Sequence, residues 1–263
     1  MKKHLSCLVV VFAWACTPTY AYELATHGRL TYEAYKRSSL VPNPDNSDDP
    51  QLAKNLGIDL RNTDVFGSTY FDISGSEVRE RTANQFERNE KRMPDSVDPL
   101  SVAGWLLRGA IREDDWQAMD APGCRLTAPN PNDEQLDRPG NHFYDPVHDR
   151  PLSVGAALGQ KAPDWALGTA DFLARPPAPD AARANHYTVR DAREALYRAL
   201  TLKRADGQDI PVQAPLTGED VRQAYWATAF RALGNVAHLV QDMAQPQHTA
   251  AMAFGAERER SLA

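Results

Sequence analysis

Residues 238–249, HLVQDMAQPQHT, carry three side chains that can bind a metal ion or move a proton. His238 and Asp242 are four residues apart, so on a helix both project from one face, one turn from each other. His248 follows Pro246, which cannot continue that helix, and a turn there would bring His248 back toward the helix end. This arrangement predicts a metal site. The alternative is a structural histidine that pairs with an aspartate near the negative end of the helix dipole.

A second group of candidate ligands lies in GAIREDDW, residues 109–116. Its acidic side chains, Glu113, Asp114 and Asp115, fall at the C-terminal end of a predicted helix, where the dipole is already negative. Carboxylates crowded at that position need a cation. Either Arg108 and Arg112 supply it as ordinary ion pairs, or a bound metal does, since carboxylate oxygen is a normal zinc ligand.

Two further histidines have less informative surroundings. His142 lies in NHFYDP, inside a loop rich in proline and aspartate, and His27 lies in THGRLT, on the first turn of the first predicted helix. Taken alone, each is typical of a structural residue. They become candidate ligands only if the fold brings them to His238 and Asp242.

The elements that must position these residues are predicted to be helices. Helical spacing of apolar residues predicts helices over residues 24–38, 100–112, 189–202 and 217–243, and no segment shows a run of alternating strands. Thr26, Thr188 and Thr217 are the predicted N-caps, and Asp220 completes a capping box with Thr217. We therefore expect an all-α fold, a single multi-helix domain with long loops and the metal site between helices.

Gly234 lies one turn before His238 on the same predicted helix face. A residue without a side chain there leaves room for an ion or for another helix. The sequence does not decide between these two uses.

Bulk composition limits the function classes. The chain has 263 residues, 42% of them hydrophobic, which suits one fair-sized globular domain rather than a membrane bundle or a disordered chain. The formal net charge is −6, so no basic surface indicates duplex nucleic-acid binding.

The N-terminal residues have the pattern of a secretory signal. Lys2 and Lys3 precede a short apolar run, and cleavage after Ala21 would make Tyr22 the new N-terminus. Residues 1–21 are therefore predicted to be a signal peptide and residues 22–263 the mature domain, secreted or periplasmic. A lipoprotein signal cut before Cys16 is the alternative. After removal only Cys124 remains, so a metal is a better candidate than a disulfide for stabilising the exported domain.

Together the four segments resemble the zinc-dependent phospholipases C of bacteria and the related single-strand-specific zinc nucleases. The resemblance runs from about Tyr22 to Thr249, and its strongest matches are HFYDP, residues 142–146, and LGNVAHLVQDMAQPQH, residues 233–248. HFYDP is most similar to the phospholipase branch.

The resemblance implies a set of ligands for each zinc ion. One zinc would be held by Asp114, His142, His238 and Asp242, with Glu113 and Asp115 as alternatives to Asp114. A second zinc would take His27, Asp242 as a bridge, and the backbone amine and carbonyl of Tyr22. The family's third zinc takes His248 with a further histidine and an acidic residue. No histidine follows His248, and Glu257 and Glu259 are the acidic candidates, so we expect a C-terminally shortened family member with an incomplete third site.

The implied activity is zinc-dependent phosphodiester hydrolysis, specifically phospholipase C-type cleavage of phospholipid head groups. Asp114 would be the general base as well as a ligand, and the substrate implies transient contact with a membrane surface. Three alternatives remain open: a single-strand-specific nuclease, an HD-type phosphohydrolase suggested by His148-Asp149, and a non-catalytic zinc-binding remnant. His148 and His186 are otherwise interpreted as solvent or loop residues. No substrate-binding residue is predicted.

Overall fold

The structure is a computed structural model that describes residues 24–38, 55–60, 69–71, 77–79, 93–94, 96–98, 100–113, 138–152, 159–168, 185, 187–212 and 216–249. Helices predominate within these ranges. The predicted signal peptide, Tyr22, Asp114, Asp115 and His186 lie outside the described residues.

Six α-helices occur within the described ranges: α1 (Leu24–Lys36), α2 (Val102–Arg112), α3 (Ala162–Leu167), α4 (Val189–Thr201), α5 (Gly218–Met243) and α6 (Pro246–Thr249). A short 3-10 helix, Arg138–Asn141, precedes the candidate His142. Two antiparallel pairs complete the described elements: β1 (Thr69–Phe71) with β2 (Glu77–Arg79), and β3 (Tyr144–Asp145) with β4 (Arg150–Pro151). No helix in this part of the chain is both long enough and apolar enough to cross a membrane.

The longest helix, α5, forms the centre of the described structure. It packs against α1, α2, α3 and α4, and α1 also packs against α2. The core between these helices contains Trp105, Leu107 and Ile111 of α2 together with Tyr225 and Trp226 of α5, all buried. The site residues of α5 therefore lie on a helix that is fixed from several sides.

Helices α2 and α5 approach each other through a pair of glycines. A Cβ atom on Gly109 would lie 2.0 Å from the Arg231 carbonyl oxygen, and one on Gly234 would lie 2.0 Å from the Leu106 carbonyl oxygen. Gly234 thus makes room for another helix, which decides the question that the sequence left open.

Local signals predicted most helix ends correctly. Thr188 and Thr217 cap α4 and α5, and each forms a capping box with the aspartate three residues later, Asp191 and Asp220. The cap predicted at Thr26 is wrong, because α1 already includes Leu24 and Thr26 therefore lies within its first turn. The short strands were not predicted, since strands of two or three residues are too short to show an alternating pattern.

Candidate metal centre

Four histidines converge on one carboxylate, that of Asp242 in the last turn of α5. Its Oδ2 atom lies 2.9 Å from His142 Nδ1, 3.1 Å from His238 Nε2 and 3.8 Å from His248 Nε2. Its Oδ1 atom lies 3.5 Å from His27 Nε2. All five side chains are buried, with at most 5% of any residue exposed.

Each histidine comes from a different part of the described chain. His238 is on α5, one turn before Asp242, and His27 is on the first turn of α1. The rings of His27 and His238 stack with centroids 3.7 Å apart and an angle of 18° between their planes. His142 follows the 3-10 helix, and the ring of His248, on α6, stacks on Phe143 at 4.5 Å. The turn at Pro246 thus brings His248 beside Asp242, as its position in the sequence predicts.

The backbone of α2 fixes the orientation of the His238 ring. His238 Nδ1 lies 2.5 Å from the carbonyl oxygen of Ala110. Because a carbonyl oxygen only accepts hydrogen bonds, Nδ1 must carry the proton, and a neutral His238 directs the lone pair of Nε2 toward Asp242. A lone pair that faces a carboxylate oxygen at 3.1 Å is repelled, so this contact requires either a proton on Nε2 or a bound cation.

The donor set fits a metal ion. His27, His238 and Asp242 each offer one ligand atom, and these atoms all lie within 4.8 Å of one another. Imidazole nitrogen and carboxylate oxygen are the ligands that zinc and related first-row ions take in proteins. This group can hold a metal ion, and His142 and His248 border it.

The electrostatics keep Asp242 ionised and His248 neutral at pH 7. Burial by itself raises the pKa of Asp242, but the adjacent imidazoles of His238 and His142 outweigh it and hold that pKa well below its usual range. Burial lowers the pKa of His248 to about 4, so this imidazole is neutral at pH 7. A carboxylate and a neutral imidazole are the forms that bind metals.

A second buried network, centred on Glu113, borders the cluster. The carboxylate of Glu113 accepts hydrogen bonds from Arg138 Nη2 at 2.5 Å, Trp165 Nε1 at 2.7 Å and Asn235 Nδ2 at 2.5 Å. His142 Nε2 lies 3.6 Å from Glu113 Oε1, so the His142 ring lies between the two carboxylates. Burial by itself raises the pKa of Glu113, but the charge of Arg138 and the adjacent His142 outweigh it and lower that pKa, so Glu113 is ionised.

This network adds two details to the sequence interpretation. The sequence offered Arg108 and Arg112 as ion-pair partners for the acidic cluster, and the structure adds Arg138, which pairs with Glu113. The second detail concerns Glu113, which the sequence offered as an alternative ligand. Its oxygens accept hydrogen bonds from three donors, and among the described residues it approaches the metal-binding group through His142.

The remaining predicted site residues divide into two groups. Tyr22 and Asp114 lie outside the described residues, and their roles stay predictions. His148 and Asp149 lie in the turn between β3 and β4, where the exposed His148 bonds Asp145 Oδ2 at 2.6 Å. This position agrees with the interpretation of His148 as a loop residue.

Sequence reasoning missed several polar residues that contact the histidines around Asp242 or the neighbouring Glu113. Gln241 bonds His27, while Arg138 and Asn235 bond Glu113. Two weak signals were present: Gln241 is adjacent to Asp242, and Arg138 lies four residues before His142. Neither position in the sequence predicts which side chain Gln241 or Arg138 contacts.

Comparison of this chain with known protein families, with curated proteins and with solved structures finds no match.

Proposed function

We propose that this chain is a secreted zinc-dependent phosphodiester hydrolase that cleaves phospholipid head groups in the manner of a phospholipase C. The observation that carries the proposal is the Asp242 carboxylate with four buried imidazoles around it. The motifs HFYDP and HLVQDMAQPQH, which supply three of these histidines, support the phospholipase branch.

Zinc suits this donor set better than the common alkaline-earth ions. Calcium and magnesium prefer oxygen ligands, whereas His27, His238 and His142 offer ring nitrogens. Three protein ligands with water or substrate in the fourth position is the arrangement of catalytic zinc sites, and His27, His238 and Asp242 can supply such a set, with His142 and His248 beside it.

Bound zinc would supply polarisation of a phosphoryl oxygen and a lowered pKa for a bound water. The residues of the chain hold and orient the groups around it. Asp242 provides the negative charge shared by the ligand group, and neutral His248 offers a further ring nitrogen beside it. Glu113 places a second negative charge 3.6 Å from the opposite side of the His142 ring. Asp114 is proposed as the general base and lies outside the described residues.

A non-catalytic metal site is the second candidate, and one observation favours it. All five residues of the cluster are at least nine-tenths buried, which is also expected of a metal that only stabilises the fold. A single-strand-specific nuclease is the third candidate, and the same experiment distinguishes it from the other two.

The test uses the processed protein, residues 22–263, so that Tyr22 is its N-terminus. We expect about two zinc ions per chain by elemental analysis, removal of activity by a chelator and its return with zinc. Release of phosphocholine from phosphatidylcholine vesicles supports the lipid substrate, whereas release of mononucleotides from single-stranded DNA supports the nuclease. Zinc without either activity supports the non-catalytic site, and the absence of zinc overturns the proposal.

Two variants make this test specific. Asp242→Asn removes the shared negative charge and should lose zinc and activity together. His148→Ala is the matched control, because this exposed histidine contacts Asp145 rather than Asp242. It should keep both zinc and activity.

A further inference from the structure

Gln241 links α5 to α1 at the edge of the metal-binding group. Its Nε2 atom donates to Thr31 Oγ1 at 2.9 Å, and its Oε1 atom lies 2.7 Å from His27 Nδ1. Both partners are buried residues of α1, whereas Gln241 itself is half-buried and precedes Asp242. One amide thus connects the helix that carries Asp242 to the helix that carries His27.

The orientation of this amide decides which nitrogen of His27 faces the carboxylate as a ligand. Because Nε2 of Gln241 is directed at Thr31, the oxygen Oε1 faces His27 and acts as an acceptor. An acceptor at Nδ1 stabilises the tautomer with its proton on that atom. The lone pair is then on His27 Nε2, the atom that lies 3.5 Å from Asp242 Oδ1.

Two contacts therefore fix the His27 ring. Stacking on His238 fixes its plane, and the Gln241 amide fixes its rotation within that plane. For His238, the backbone carbonyl of Ala110 fixes the rotation of the ring, and substitution of a side chain does not remove that carbonyl. For His27, the side chain of Gln241 fixes the rotation, so this contact can be tested by mutation.

We propose that Gln241 is a positioning residue that holds His27 in its zinc-binding tautomer and orientation. Outer partners of this kind orient ligands and raise their basicity, and their loss costs roughly 10- to 100-fold in metal affinity. The proposal rests on the proposed function only in taking zinc as the metal. It does not depend on the substrate.

The test measures the zinc dissociation constant by competition with a chelator in the full-length processed protein. Gln241→Leu removes the acceptor and should weaken zinc binding by roughly 10- to 100-fold. Gln241→Glu keeps an acceptor oxygen at the same reach and should keep the affinity close to that of the wild type. Gln208→Leu, at an exposed glutamine near a turn, is the matched control and should leave the affinity unchanged.

A spectroscopic measurement separates positioning from a purely structural role. Nitrogen-15 chemical shifts of His27 should show the proton on Nδ1 in the wild type and in Gln241→Glu, and loss of that preference in Gln241→Leu. A structural role alone would lower the free energy of unfolding of the metal-free protein while leaving the tautomer and the dissociation constant unchanged.

The outcomes are distinguishable from those of the proposed function. Equal zinc affinity in the wild type and Gln241→Leu, or equal weakening in Gln241→Leu and Gln241→Glu, overturns the positioning role. A wild-type protein that binds zinc but hydrolyses neither lipid nor nucleic acid removes the proposed function and leaves this test intact. A wild-type protein that binds no zinc overturns both.

Discussion

At the scale of single residues, the cluster depends on which ring nitrogen of each histidine faces Asp242. His27 and His238 present Nε2, whereas His142 presents Nδ1. The opposite nitrogen of each contacts an acceptor: Gln241 for His27, the Ala110 carbonyl for His238 and Glu113 for His142. This outer layer directs three imidazoles at one carboxylate. It is the arrangement expected around a metal, since metal-bound histidines commonly donate their other N–H to such groups.

Glu113→Gln should strongly destabilise the fold. The variant removes a buried negative charge that contacts the Arg138 guanidinium at 2.5 Å. Breaking a buried ion pair by neutralising one partner typically costs about 3–5 kcal/mol. Urea unfolding of the metal-free protein measures the change.

The control for Glu113→Gln is an ion pair at the surface. Glu33 contacts Lys36 and Arg37 on the exposed side of α1, where solvent screens the charges, so Glu33→Gln should destabilise the fold far less than Glu113→Gln. Equal effects of the two variants would contradict the role assigned to the buried network.

At the scale of elements, the close contact between α2 and α5 determines the position of His238. Gly109 and Gly234 let the two backbones approach, and this approach brings the Ala110 carbonyl within 2.5 Å of His238 Nδ1. The two helices are otherwise packed through large buried side chains such as Trp105 and Tyr225. The glycine pair therefore contributes to the geometry of the metal-binding group as well as to packing.

Gly234→Ala should separate these helices. The added methyl group would lie 2.0 Å from the Leu106 carbonyl oxygen and 3.0 Å from the Ala110 amide nitrogen, both backbone atoms that cannot rotate away. Overpacking of this kind typically costs about 1–3 kcal/mol, and here it should also weaken zinc binding because the Ala110 carbonyl moves from His238. Thermal unfolding and zinc competition measure the two effects.

Gly140→Ala serves as the comparison, since nothing lies within 4 Å of a Cβ atom at that glycine. We expect a near-neutral effect on stability and on zinc affinity. A Gly234→Ala protein with the same melting temperature as Gly140→Ala would show that the helices can relax without cost.

At the scale of the whole molecule, Tyr187 connects three separate parts of the described chain. It precedes α4, and its ring lies under the guanidinium groups of Arg231 on α5 at 4.4 Å and Arg138 in the 3-10 helix at 5.2 Å. Burial raises the pKa of Tyr187 to about 12, although the nearby charge of Arg231 acts in the opposite direction. Because the folded state disfavours the ionised phenol of Tyr187, the free energy of unfolding depends on pH in the alkaline range.

The protein should therefore lose stability between about pH 10 and about pH 12, because the unfolded chain releases the tyrosine proton near its ordinary pKa of 10 and the folded chain only near 12. The stabilisation is fully present below pH 10 and is lost as pH rises through the folded value. Two pKa units correspond to about 3 kcal/mol.

Urea unfolding at about pH 9 and about pH 11.5 measures this loss. Tyr187→Phe has no proton to release, so its free energy of unfolding should fall less steeply over the same interval. Parallel curves for the wild type and Tyr187→Phe would refute the assignment to this residue.

The sequence by itself determined the features that depend on near neighbours in the chain. The caps at Thr188 and Thr217 and the His238–Asp242 pair follow from residues three or four positions apart. The helical class follows from apolar spacing within single helices. These features have local causes, so spacing alone predicts them.

Only the tertiary structure decided which distant groups meet. His27 and Gln241 are 214 residues apart, and Glu113 and Asn235 are 122 apart, so their contacts depend on how α1, α2 and α5 pack. Gly234 proved to serve the approach of α2, and Glu113 proved to be the partner of Arg138. The type of a side chain determines what it can bind, but helix packing determines which partner it meets. The sequence pattern of a single segment does not predict that packing.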